Sequence, residues 1–97
     1  MAEPSVADNP SELRYEIWVG DRLAGVIRYT LDGDPDGDIV TMVHTEVEPA
    51  FEGQGLGEAL VAGALDLARA DGRLVRPLCP FVAKYIARHD EYADIVA

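Results

Sequence analysis

The chain is poor in cysteine, in basic residues and in long apolar runs, and each shortage closes off a class of protein. Cys79 is the sole cysteine among 97 residues, which excludes an internal disulfide framework and agrees with a reducing compartment. Lysine and arginine number 8 against 18 aspartates and glutamates, a net charge of −10. Nucleic acid and anionic membranes demand a basic patch, so neither is expected as a partner. No apolar stretch approaches the ~20 residues that a membrane helix needs. Met1 to Pro10 has no apolar core of the kind a secretory signal carries, and a cytoplasmic location is expected. No Cys/His/Asp cluster has ligand spacing, so no metal is expected.

What is present is 48% hydrophobic, with a mean hydropathy of −0.01, enough for one compact domain. Met1 to Ser11 contains two prolines and little apolar content and reads as a mobile leader, with the domain proper spanning 12–97. From Glu12 the apolar residues alternate: Leu13, Tyr15, Ile17 and Val19 predict a first strand, Gly20-Asp21 a hairpin turn, and Leu23 to Leu31 a second. A polar loop follows at 32–37. A third strand, Asp38 to Val47, is β-branched on both faces and ends at Pro49. Leu56, Ala59, Leu60, Gly63, Ala64 and Leu67 then fall at helical spacing, up to a stop at Asp71-Gly72. Leu74 to Leu78 reads as a short strand parallel to the third. Pro80 opens a helix whose buried face is expected to hold Phe81, Val82, Tyr85 and Ile86, and the tail packs as a last helical turn. The fold class is α/β (α+β): a three-strand antiparallel meander, a β-α-β crossover and a C-terminal helix.

Glu52-Gly53-Gln54-Gly55-Leu56-Gly57 stands where the third strand gives way to the helix. Glycines there leave backbone N–H groups bare at the positive end of the helix dipole, a geometry suited to phosphate and above all pyrophosphate. A dinucleotide fold would need glycine at 58, where Glu58 stands, and a nucleoside-triphosphate loop would need Gly-Lys-Ser/Thr. A purely structural turn is the other reading of the same residues.

In Val47-x-Pro49-x4-Gln54-Gly55-x-Gly57, with the Ala/Leu helix behind it, the chain resembles the acetyl-CoA-binding signature of the GNAT acetyltransferase superfamily, and among its members the minimal GNAT-like domains. Met42-Val43-His44-Thr45 and Val75-x-Pro77-x-Cys79-x-Phe81-Val82, continuing to Tyr85 and His89, extend the likeness over Tyr15 to Tyr92. The resemblance implies a small acetyltransferase with acetyl-CoA as cosubstrate. It places the amides of Gln54, Gly55, Leu56 and Gly57 on the pyrophosphate and Val47 along the pantetheine arm. The acceptor it implies is an amine, on a small molecule or on a protein or peptide reached through an open, shallow site. In one respect the chain departs from the superfamily pattern, which sets Gln or Arg at position 52. Here Glu52 cannot assist an anion, and modest CoA affinity is expected.

His44 and Cys79 are the candidate catalytic pair. His44 is expected to share a face of the third strand with Val40, Met42 and Glu46, where a neutral imidazole can take a proton during acyl transfer. A half-buried histidine bonded to backbone is the plainer alternative. Cys79 lies between Pro77 and Pro80 at a helix N-terminus, whose dipole favours thiolate; a buried thiol acting as a small hydrophobe is its plainer alternative. Direct transfer to the amine is expected, with Cys79 near the thioester; an acetyl-cysteine relay is the variant. Lys84 and Arg88, one helical turn apart, are either ordinary solvated charge or contacts for the CoA 3′-phosphate. The rival function is a non-catalytic acyl-CoA binding or sensing module acting through a partner.

Overall fold

Alternating apolar residues commit the first half of the chain to sheet. The structure is a computed structural model that describes residues 3–33 and 38–97. Its strands are β1 (Pro4–Asn9), β2 (Arg14–Val19), β3 (Arg22–Asp32), β4 (Ile39–Val47) and β5 (Leu74–Pro77); its helices are α1 (Leu56–Ala70) and α2 (Pro80–Arg88). Short 3₁₀ turns cover Pro49–Phe51 and Asp90–Ile95, the second being the expected helical turn of the tail. The polar loop expected at 32–37 lies outside the described residues from 34 onward. The strands form one sheet in sequence order, antiparallel through β4, with β5 parallel to β4 after the crossover through α1.

The meander has four strands rather than three, because residues 4–9, expected as a mobile leader, pair with β2 from Pro4↔Val19 to Asn9↔Arg14. Three contacts hold β1 in place. Val6 packs on Gly63 of α1 so closely that a Cβ at Gly63 would stand 2.6 Å from it. The Tyr29 hydroxyl donates to Asp8 at 2.6 Å, and Arg73 lies 4.0 Å from the same carboxylate. The strand escapes sequence pattern because it is an edge strand with an exposed first half, and proline is tolerated at its start.

One face of the sheet carries the core. Tyr15, Ile17, Ile27, Tyr29, Val40 and Met42 are buried against Leu60, Val61, Ala64, Leu65 and Ala68 of α1. The helix stripe centres on Val61 and Leu65, with Leu67 and Ala59 partly buried at its flank. On α2 only Val82 is fully buried. Tyr85 and Ile86 are partly buried against the core, as expected, whereas Phe81 is exposed; Phe81 and Tyr85 also line surface clefts.

The decisive irregularity is in β4. Tyr29 pairs with Met42, but the next residue of β3, Arg28, pairs with His44, so Val43 is an extra residue. Such a bulge reverses the alternation beyond it. Val40 and Met42 face the core, whereas from 44 onward the odd-numbered residues Thr45 and Val47 take the core side.

Candidate functional site

Parallel pairing between β4 and β5 runs from Ile39↔Leu74 to Met42↔Pro77 and stops. Beyond Met42 the β5 side of β4 has no strand partner among the described residues. The Cys79 amide makes the last crossing bond, to Met42 O at 2.9 Å, so the chain between Pro77 and Pro80 is tied to β4. The Thr45 amide points at Cys79 Sγ. Backbone groups alternate sides along a strand, and Glu48 N–H indeed turns the other way, to Ala24 O at 2.7 Å. Val47 therefore presents its N–H and C=O to the open edge, free to pair with an extended ligand.

Below that edge lies a cleft of about 340 Å³ walled by Thr45, Val47, Phe51, Leu56 and Phe81 and floored by Gly53, Gly55 and Gly57. Gly53 and Gly55 have φ of 80° and 74°, and nothing lies within 4 Å of where a Cβ would stand. Gly55 is the N-cap of α1 and no side chain caps the helix. Among the described residues, the amides of 53–58 donate to no backbone or side-chain acceptor. Gly57 has a further reason to be glycine: a Cβ there would approach Phe81 Cζ to 3.0 Å. Gln54 is the exposed apex of the turn and Leu56 anchors the helix start in the core. Glu52 and Glu58 stand at the cleft mouth and oppose an anion.

Cys79 is the N-cap of α2 and is only 4% exposed. Its Sγ lies 3.4 Å from Thr45 Oγ1, and it is Thr45, not Cys79, that reaches the cleft wall. Burial pushes the thiol up, but the Thr45 hydroxyl and the N–H dipoles of Val82, Phe81 and Thr45 around the sulfur outweigh it and hold Cys79 below its ordinary value of 9.0. Thiolate absorbance is accordingly expected to titrate below pH 9.0. Thr45→Val, by removing the hydroxyl that favours the anion, should move that midpoint upward; a midpoint unmoved by the substitution would show the helix amides alone to be responsible.

His44 lies elsewhere. The bulge at Val43 turns it to the outer face of the sheet, 61% exposed, with Nε2 3.4 Å from Glu46 Oε1. It shares that face with Glu46, as expected, but not with Val40 and Met42, and it is not brought against Cys79. Lys84 and Arg88 line a second groove of about 340 Å³ between α1 and α2, with Tyr85 and His89. Those two rings stack at 3.8 Å, and His89 Nδ1 lies 2.8 Å from Tyr85 O at the helix end. Glu58 and Phe81 belong to both grooves, which therefore meet at the start of α1.

Residues 14–95 match the family model described as GCN5-related N-acetyl-transferase. The chain belongs to the GCN5-related N-acetyltransferase family. Its fold is similar to the solution structure of a GCN5-like protein of Staphylococcus aureus, at 20% identity and a TM-score of 0.69 over 100% of this chain and 91% of that one. It is also similar to Ard1 of Thermoplasma volcanium, at 24% identity and a TM-score of 0.54, over 68% of this chain and 43% of the Ard1 chain. No curated protein sequence matches it.

For a GCN5-related chain, the glycine turn was legible in sequence, Val47 entered only through the family resemblance, and Thr45 was not singled out. Strict alternation would have turned Thr45 away from the core, and no residue type announces the bulge that brings it to Cys79. Phe81 was expected inside the core and not in a cleft. Among the described residues no group of three or more His, Cys, Asp or Glu side chains is arranged to hold a metal ion, and no helix is long and apolar enough to cross a membrane.

Proposed function

We propose that the 12–97 region, with β1 completing its sheet, transfers an acetyl group from acetyl-CoA to an amine, in the cytoplasm. What carries the reading is the set of unpaired amides at 53–58 on the floor of a cleft that climbs along a strand edge without a partner. A diphosphate is accepted by the amides of Gln54, Gly55, Leu56 and Gly57, aided by the α1 dipole. The pantetheine arm pairs with Val47 as an added strand. The adenosine end continues into the α1–α2 groove, where Lys84 and Arg88 meet its phosphate. That set brings the thioester to Thr45, in front of the Cys79 thiol.

The amine attacks from the outer face. Its nitrogen bonds the acetyl carbon, the carbon–sulfur bond breaks, the surplus amine proton passes to His44, and sulfur leaves as thiolate beside Cys79. Because Thr45 stands between Cys79 and the cleft, direct transfer is favoured over an acetyl-cysteine relay; a Cys79→Ala protein that still acetylates an amine separates the two.

Calorimetry with acetyl-CoA tests the donor site. The native chain is expected to bind weakly, in the range above low micromolar, since Glu52 and Glu58 face the phosphates. Glu52→Gln should tighten binding by roughly threefold, the effect of removing one solvent-screened repulsion. The absence of any heat with acetyl-CoA would overturn the reading. The rival, a non-catalytic acyl-CoA module, draws support from Glu52 itself; it requires binding without release of free CoA thiol in the presence of amines.

A further inference from the structure

The outer face of the sheet carries charges that the donor cleft does not use. Cross-strand partners share a face. Across β2, β3 and β4 the register sets Arg14 opposite Arg28 and Arg28 opposite His44, and the adjoining row is Glu16, Val26 and Glu46. Like charges set directly opposite one another destabilise a sheet, so the two arginines need anionic compensation. Arg14 has it: its Nε donates to Glu16 Oε2 at 2.7 Å. That carboxylate is already engaged on both oxygens, accepting also from Asn9 at 2.9 Å and Trp18 at 3.1 Å. Arg28 finds only Glu46 among the described residues, at 3.7 Å, with the two side chains 51% and 54% exposed. His44 leans on the same Glu46 oxygen. One carboxylate thus answers to two neighbours, and the Arg28 guanidinium keeps its fork of donors for a ligand.

Arg14 and Arg28, together with Glu46 and Glu48, line a pocket of about 210 Å³. Val47 lines this pocket and the glycine-floored cleft alike. Val47 thus borders a hollow on each side, at the stretch of β4 that has no strand on its far edge among the described residues.

We infer that the outer-face pocket receives the acetyl acceptor, and that this acceptor is a small amine bearing its own carboxylate, of the free α-amino acid class. The carboxylate seats on Arg28, flanked by Arg14, and the ammonium lies toward Glu46 and Glu48; it gives one proton to solvent to become the attacking amine, and the proton in surplus after attack passes to His44, which neighbours Glu46. Opposite charges within one pocket of about 210 Å³ suit a small zwitterion. The inference rests on the acetyl-transfer reading, and it adds the substrate class.

The test follows CoA thiol release from acetyl-CoA with a panel of amino acids, their carboxamides, and peptides with blocked C-termini, alongside calorimetry of acetyl-CoA binding. Free amino acids should be used at least about tenfold better than their amides, the worth of a charge-assisted bidentate contact. Arg28→Met should raise KM for the amino acid about tenfold and erase the preference over the amide, with acetyl-CoA affinity unchanged. Equal use of amide and acid, a preference for blocked peptides, or an unaltered KM in Arg28→Met would each overturn the inference. Acetyl-CoA binding with no transfer to any carboxylate-bearing amine would do so while leaving the donor site standing. Loss of the donor reading is registered separately, by calorimetry; amide shifts of residues 44–48 on titrating the free chain with an amino acid then still report on the pocket, and their absence counts against it.

Discussion

Gly55→Val is expected to reduce acetyl-CoA binding beyond detection while the domain stays folded. Gly55 sits at φ 74° as the N-cap of α1, in a region where a Cβ meets the following carbonyl. Holding a non-glycine residue there costs about 1–2 kcal/mol, which this chain can tolerate if its stability lies in the ordinary range. The larger consequence is local. Either the turn keeps its geometry and the valine methyl groups occupy the open space in front of the amides, or it relaxes and the amides swing out of convergence. Both outcomes remove the diphosphate cradle, so the loss in affinity should exceed a hundredfold, the equivalent of about 3 kcal/mol. Calorimetry measures the binding and a thermal melt the stability. A variant that melts lower yet binds as the native chain does would show that the cradle lies elsewhere.

Gly63→Val carries the largest expected cost in stability. A Cβ at Gly63 would stand 2.6 Å from two carbons of Val6 and 3.0 Å from a third, with no flexible side-chain end to yield. Overpacking of this kind costs about 1–3 kcal/mol, and for a domain of this size each kcal/mol lowers Tm by roughly 4–8 °C. The strain falls on the seam between β1 and α1, so Val6→Ala in the same chain should restore part of the loss. That double-mutant coupling is the informative reading. If residues 4–9 behaved as the leader that their composition suggests, Gly63→Val would be close to neutral and no rescue would be seen.

Much of the molecule was legible because its residues announce themselves locally. Period-two alternation gave β2 and β3, and helical spacing with Gly55 before and Asp71-Gly72 after gave α1 with the bounds observed. Pro80 marked the start of α2, and the glycines at 53, 55 and 57 marked a turn with bare amides. These are short-range rules, in which each residue's preference is set by neighbours within about a turn of chain.

Sequence alone thus determined the α/β class, the order of elements from β2 onward, and the glycine-floored helix start. Tertiary structure decided the rest. The bulge at Val43 parts His44 from Cys79 and pairs Thr45 with the thiol; it arises from how β3 and β4 come into register, which no residue type encodes. β1 is a strand only because α1 and Tyr29 are there to receive Val6 and Asp8. The opposed arginines of the outer face are 14 residues apart in the chain and become neighbours only through pairing. Register and docking are properties of two surfaces meeting, and neither surface exists until the chain has folded.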